Sequence, residues 1–425
     1  MMEFLGQFIF LYPVVMSIVW MIGASYFYFR YERNMPEYPD LQEFPLMTIM
    51  VPAHNEEDSI KETVDAILAS EYPNFEVIII DDGSTDNTCL MLDDIVAASP
   101  KVRSLILKQN MGKAAALNYG FLMSKGEIIV TIDADCLLDK KALQWLVWHF
   151  TKFPRVGGVT GNPRVRNRTS LLAKIQTAEY SSVIGLIKRT QRLLGKILTV
   201  SGVIAAFRRS ALIDVGLWST DMITDDIDMT WKIEKKKWDV RYETNALGWI
   251  LVPETIGGLW KQRVRWAQGG IEVLRRHSDV LTSWTECRLW PLYLDYVLSV
   301  TWAFTFVTVS ILGILGLLFG IDSVFAPYGH ALPPQWTGGI IALTCLIQFS
   351  LSLFLDRKYD SNLLAVYFVV IWYPVIYWIF NSLAVIWALP KAIFKKKGTS
   401  ATWTSPDRGL RVIDGARGGN SNENN

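Results

Sequence analysis

Val77-Ile78-Ile79-Ile80-Asp81-Asp82-Gly83-Ser84-Thr85-Asp86 is the stretch that decides how this chain folds. A run of β-branched residues makes a buried strand, and it stops on two carboxylates and a glycine, which is turn chemistry. The same punctuation recurs where Ile128-Ile129-Val130-Thr131-Ile132 ends on Asp133-Ala134-Asp135, and where Met47-Thr48-Ile49-Met50-Val51 ends on Pro52. Between these runs the apolar spacing is helical, with Ile60, Val64, Ile67 and Leu68 inside 58–70. A further helix, a strand near Val102–Leu107 and a helix over Lys113–Ser124 complete the alternation. Strands alternating with helices need right-handed crossovers, so residues 45–285 are expected to form an α/β domain around a mostly parallel sheet. In such sheets ligands bind beyond the carboxyl ends of the strands, where both acidic clusters fall.

Outside that domain the chain turns apolar. Hydrophobic residues make up 51% of the 425, mean hydropathy is +0.22, and the excess lies at the two ends. Phe4–Phe29 is longer than the roughly 20 residues that span hydrocarbon. It has no basic leader and is too long for a cleaved signal peptide, so residues 1–30 are read as an N-terminal transmembrane helix. Arg30 and Arg33 follow it, and the positive-inside tendency places that end in the cytoplasm together with the domain. Leu292–Phe319, Trp336–Leu355 and Leu363–Leu389 are each long enough to span, so 290–390 reads as transmembrane or interfacial helices. The tail 391–425 opens with lysines, which favours the cytoplasm, and is expected to be disordered beyond about 411. Three crossings would leave that tail outside, so one segment, first the one containing Pro374, is expected to lie in the interface or re-enter. A net charge of +1 supplies no field for gathering nucleic acid. Four scattered cysteines, none paired at metal-ligand spacing, argue against a disulfide framework and a zinc site.

Several residues carry chemistry. Asp133 and Asp135, one residue apart at a strand end, can hold a hard divalent cation, Mg2+ or Mn2+, together with a diphosphate. Asp82 can accept hydrogen bonds from a uracil or ribose, with residues 51–57 as a second wall. Asn110-Met111-Gly112-Lys113 opens a helix, where an ammonium and the helix N-terminus suit phosphate. Asp226, flanked by Asp225 and Asp228, is the candidate general base, because neighbouring like charges raise a carboxylate's proton affinity. Gln262, Arg265 and Trp266 are spaced i, i+3, i+4 and share one helical face. Arginine suits a diphosphate and an indole suits a sugar ring. Each has an ordinary counterpart: a turn, a solvated acidic pair, a surface lysine, an acid-rich helix start capped by Thr224, or an amphipathic interfacial helix.

In their order, Asp82, Asp133/Asp135, Asp226 and Gln262/Arg265/Trp266 resemble the signature elements of the processive, inverting family-two glycosyltransferases of membranes. These are the cellulose, hyaluronan and chitin synthases. One departure is Asp225, where the usual element has glutamate. The chain is most similar to the bacterial poly-β-1,6-N-acetylglucosamine synthase branch, through Val159–Pro163, Glu179–Arg192, Val200–Arg209, Leu259–Gly270 and Trp403–Gly409. That resemblance covers about residues 8–410 and implies a GT-A-like nucleotide-sugar domain with flanking transmembrane helices. It implies Asp226 as base; Asp82, Lys113, Asp133, Asp135, Gln262 and Arg265 on the donor, with Asp135 on the metal; and Trp266, Ser201 and Gly202 on the acceptor. It further implies UDP-N-acetylglucosamine as donor, a growing polysaccharide for biofilm matrix, residence in the bacterial inner (cytoplasmic) membrane, and a small membrane-spanning accessory subunit. Some relatives answer to cyclic di-GMP. No binding module for it is legible here, so such control would act through a composite or partner-borne site. Another polymer, a single transfer to lipid, and a catalytically silent membrane receptor or transporter subunit remain the competing readings.

Overall fold

The chain begins in α1 (Met2–Phe27), an apolar helix that runs on through one π turn over Tyr28–Glu32. The computed structural model describes residues 2–319, 336–360, 363–370, 373–395 and 398. They fall into two compact units, one built on 35–177 and 195–262, the other on 1–34, 178–194 and 263–395.

The first unit is the α/β domain. Its early strands are β1 (Met47–Ala53), β2 (Phe75–Asp81), β3 (Val102–Ile106) and β4 (Ile128–Ile132), and they pair in parallel. The crossovers are α2 (Ile60–Leu68), α3 (Thr88–Ala98) and α4 (Lys113–Met123), as the helical spacing requires. Strands β1 and β4 are buried along their whole length and β2 nearly so, which is why they read as continuous apolar runs rather than alternating ones. Met50, Ile78, Ile80 and Ile129 of the sheet meet Leu117 and Phe121 of α4 in one core cluster. Each such side chain contributes about 1.5–3 kcal/mol by leaving water.

The rest of the sheet adds antiparallel pairings to the parallel ones. Downstream come β5 (Leu137–Leu138), α5 (Ala142–Lys152), β6 (Val156–Val165), α6 (Leu171–Glu179) and α7 (Ile187–Leu194), then β7 (Ile204–Arg208), α8 (Arg209–Val215), α9 (Asp225–Lys235) and β8 (Asp239–Ile250). The full order is β3-β2-β1-β4-β7-β6-β8-β5. β7 runs antiparallel to β4 and to β6, and β5 antiparallel to β8, while β6 and β8 are parallel. The sheet is therefore mixed. The reversal matters for the site: the register Ile132↔Ile204 brings the start of β7 to the carboxyl end of β4.

The second unit is helical. It contains α1, α7, the later part of α10 (Ile256–Arg276), α11 (Trp290–Phe319), α12 (Trp336–Asp356), α13 (Leu363–Val370) and α14 (Tyr373–Phe394). Helix α1 packs on α7, α11 and α12, and α11 on α14. Among the described residues, four helices are long and apolar enough to cross a membrane: Phe4–Glu32, Trp284–Gly316, Gly339–Asp356 and Tyr377–Phe394. The third expected C-terminal segment, Leu363–Leu389, falls on α13 and α14, with residues 371–372 between them outside the described residues. Pro374 lies in α14. The tail expected over 391–425 lies almost wholly outside the described residues, as does Trp403–Gly409.

An ion cluster and a cavity occupy the interior of this helical unit. Arg189 is fully buried and holds Glu32 through Nε at 2.7 Å and Nη2 at 2.8 Å, and Asp356 through Nη1 at 2.7 Å. One guanidinium therefore ties α7 to the ends of α1 and α12. The cavity, of about 260 Å³, lies among the same helices. Tyr12, Trp302, Gln348, Tyr377, Trp378 and Asn381 are in its wall, and among the described residues no lysine, arginine, aspartate, glutamate or histidine is.

Candidate active site

Three parallel strands deliver the site's backbone. The register Ala53↔Asp81 puts the ends of β1 and β2 level, and β4 ends beside β1. Asp82 follows β2 and is fully buried. Its Oδ1 accepts the N–H of Met111 and its Oδ2 the N–H of Gly112, both at 2.8 Å. The carboxylate thus shapes the turn that leads into α4. His54 joins the same construction, with Nδ1 at 2.9 Å from the Asp82 carbonyl oxygen and Nε2 at 3.1 Å from Asn110 Nδ2. Gly83 is needed there: its φ is +68°, and a Cβ would come within 2.6 Å of the Gln109 carbonyl carbon. The backbone around the nucleotide-binding candidate is therefore tightly set before any ligand arrives.

Gly112 turns with φ +90°, and Lys113 opens α4. The Lys113 ammonium donates to Asp133 Oδ1 at 2.5 Å and to the carbonyl of Gly202 at 3.1 Å. Gly202 N–H in turn donates to Asp226 Oδ2 at 3.3 Å. Asp226 Oδ1 accepts its own helix's Ile227 N–H at 2.9 Å. The antiparallel direction of β7 makes this possible, because Ser201-Gly202-Val203 arrives at the edge where β4 ends. The N–H of Asp133 donates to the Val203 carbonyl at 3.1 Å, and Ser201 N–H to Thr160 Oγ1 at 2.8 Å. Five residues named from sequence, Lys113, Asp133, Ser201, Gly202 and Asp226, thus form one continuous network.

The electrostatics follow from that clustering. Burial opposes the charge on Lys113, but Asp133, Asp225 and Asp226 outweigh it and hold the ammonium protonated well above its ordinary range. At Asp225, withdrawal from water raises the carboxyl against the pull of Lys113, and Asp226 and Asp133 push it further, to about 6. Thr224 occupies the N-cap position of α9, but its hydroxyl is buried without a partner and makes no capping bond. Asp228 is buried and accepts the Ser219 hydroxyl at 2.6 Å, so it serves the fold.

One ammonium faces three carboxylates here, an excess of negative charge that invites a cation. Asp135 is buried one residue beyond Asp133 and Ala134. Among the described residues no three acidic, histidine or cysteine side chains cluster closely enough to cage a metal. A pair of hard oxygen donors that leaves the remaining positions to water and substrate phosphate is what Mg2+ or Mn2+ takes, so the residues fit such an ion. Cys136 is fully buried, and burial, then Asp135 and Asp133, raise its thiol well above the usual range.

Gln262, Arg265 and Trp266 all lie on α10, as their spacing predicts. The Oε1 of Gln262 is buried without a hydrogen-bond partner, an acceptor left open. Arg265 is exposed. Arg263 is buried, ion-paired with Glu179 at 2.8 Å and stacked 4.3 Å from the Trp266 ring, so it orients the indole. Arg265 and Trp266 belong to the helical unit and Gln262 to the α/β unit. Sequence reasoning passed over Arg263 in this role, and passed over Thr160. A buried arginine next to a tryptophan carries no mark that separates it from Arg265.

Comparison with known proteins places the chain in a family. The sequence pattern described as "Glycosyltransferase like family 2" matches residues 45–269. The chain is 42% identical over 410 residues to the poly-beta-1,6-N-acetyl-D-glucosamine synthase of Staphylococcus aureus, covering 95% of this chain and 98% of that protein. It is 40% identical over 408 residues, with the same coverage, to the synthase of that name from Staphylococcus epidermidis. Among solved structures it resembles a mannosyltransferase from Pyrobaculum calidifontis in complex with GDP-Man and Mn2+, with a TM-score of 0.58 at 20% identity, covering 91% of this chain and 99% of that one.

Proposed function

The chain belongs to glycosyltransferase family 2 and is a glycosyltransferase, and from that premise we propose that it polymerises N-acetylglucosamine from UDP-N-acetylglucosamine into a β-1,6-linked chain. The observation that carries the mechanism is the network from Lys113 through the Gly202 peptide to Asp226. Asp226 takes the proton of the acceptor's 6-hydroxyl, and that oxygen attacks the anomeric carbon of the donor. UDP departs from the opposite face, so an α-linked donor yields a β-linked product. Ile227 N–H and Gly202 N–H hold the carboxylate's orientation, which leaves its outer lone pairs for the hydroxyl proton. Lys113 faces the departing diphosphate and offsets its charge.

Asp135, with Asp133, would hold Mg2+ or Mn2+, which when bound neutralises the diphosphate and makes UDP a better leaving group. Asp82 sets the backbone of the donor pocket. Gln262 and Arg265 complete the donor's binding, and Trp266 with Ser201 and Gly202 receives the acceptor sugar; these roles rest on the resemblance and on their places in the chain. We assign the α/β unit, residues 35–177 and 195–262, to the cytoplasmic side of a bacterial cytoplasmic membrane, crossed by the apolar helices. The uncharged, aromatic- and amide-lined cavity of the helical unit suits a neutral saccharide leaving through it. A small accessory subunit, and any response to cyclic di-GMP through it, belong to the same reading. Membranes containing the protein, given UDP-N-acetylglucosamine, should release UDP and build a polymer that a β-1,6-specific hydrolase degrades. One added sugar on lipid would favour single transfer instead.

A further inference from the structure

One face of α9 does more than present Asp226. Asp226, Thr230 and Glu234 stand at i, i+4 and i+8, and all three grip the segment 197–202. Glu234 Oε1 accepts the Ile197 N–H at 2.9 Å. Thr230 Oγ1 accepts the Val200 N–H at 2.8 Å and donates to the Asp226 carbonyl at 2.7 Å. Asp226 Oδ2 accepts the Gly202 N–H, and beside them Trp231 Nε1 donates to the Leu198 carbonyl at 3.1 Å. Ile197, Val200, Thr230 and Glu234 are all almost completely buried, so water offers no substitute partner.

Eight helical residues rise about 12 Å. Five residues of chain reach at most about 17 Å, so the segment can span the face, and the three hydrogen bonds at Ile197, Val200 and Gly202 set its register. A slip of one residue would move Gly202 by about 3.3 Å, out of hydrogen-bond reach of Asp226. Lys113 fixes the far side of the same peptide through its carbonyl.

We propose that Thr230 and Glu234 are positioning residues, which set the register of segment 197–202 on α9 and thereby hold the Gly202 peptide between Asp226 and Lys113. They touch neither substrate. They fix the direction from which the base meets the acceptor hydroxyl, and the inference rests on Asp226 being that base. Burial pushes the Glu234 carboxyl up to about 8, against Lys196 and the Ile197 N–H, with Asp239 adding to the rise. Glutamine keeps an acceptor oxygen at this position.

The test uses the full-length protein in lipid nanodiscs. UDP release gives kcat and KM for UDP-N-acetylglucosamine, and calorimetry gives the Kd of UDP. Thr230→Val and Glu234→Ala should lower kcat about 10-fold or more, since sub-ångström misplacement of a reacting group is that costly. Donor KM and UDP Kd should stay within about two-fold of wild type, because these residues act on the base side. Glu234→Gln should keep kcat within about two-fold, because it keeps the acceptor. Unchanged kcat in both truncations, a loss that Glu234→Gln shares, or a parallel loss of UDP affinity would overturn the inference. Asp226→Asn working at the wild-type rate would instead overturn the base assignment, and with it the register argument.

Discussion

Replacing Asp82 by asparagine tests whether this carboxylate is an architectural group. It is fully buried, and its two oxygens each accept a backbone N–H at 2.8 Å from the turn that leads to Lys113. Asparagine keeps one acceptor and turns an NH2 towards the other N–H. The lost charge-assisted bond is worth about 1.5–3 kcal/mol and the stranded N–H about 1–3 kcal/mol, together about 2.5–6 kcal/mol. At about 2–4 °C per kcal/mol for a domain of this size, the unfolding midpoint should fall by roughly 5–24 °C. The assay is thermal unfolding of the full-length protein with no nucleotide present. UDP affinity should fall as well, because the turn presents Lys113. A nucleotide-free midpoint within about 1 °C of wild type, together with weakened UDP binding, would refute the reasoning. It would make Asp82 a direct reader of the nucleotide and nothing more.

Three further outcomes are expected. Asp225 has a folded-state pKa of about 6 against an ordinary 3.8, so the fold favours its protonated form, and its contribution to stability is lost as pH rises through that interval. Asp225→Asn should therefore gain in unfolding midpoint relative to wild type between pH 4 and pH 7, and a difference that is flat or reversed contradicts the crowding seen around Lys113. Arg189→Met should cost about 3–5 kcal/mol by leaving Glu32 and Asp356 buried without their guanidinium, read as a lower unfolding midpoint or as loss of folded protein on gel filtration. Trp302→Ala with Asn381→Leu should shorten the polymer while UDP release from short acceptors stays within about two-fold, since neither residue is among the reacting groups; equal loss of both would remove the cavity from the product's path.

Much of the domain was legible because its strands are buried on both faces. Such strands read as unbroken apolar runs, and each stops on residues that turn. The ends of β1, β2 and β4 were therefore found together with the acids they carry. Strand direction leaves no such mark. Ile204-Ala205-Ala206-Phe207-Arg208 is an ordinary buried run, and only its pairing with β4 makes it antiparallel. That reversal brings Gly202 to Lys113, so the link from Lys113 to Asp226 had no signature in the sequence. Asp82 was found as a site residue, but its hold on Met111 and Gly112 depends on a turn 29 residues away. The helix face of Asp226, Thr230 and Glu234 could have been read from spacing alone. Its partner segment could not, because an extended stretch such as 197–202 has no period to betray what it lies against.

The most direct measurement is a comparison of wild-type and Asp226→Asn protein in membranes given UDP-N-acetylglucosamine, following UDP release and β-1,6-hydrolase-sensitive polymer. Wild type should make both, and the variant should release UDP about 10² to 10⁴ times more slowly while binding UDP normally. Polymer synthesis by Asp226→Asn near the wild-type rate, or a wild-type product that the hydrolase leaves intact, would contradict the account.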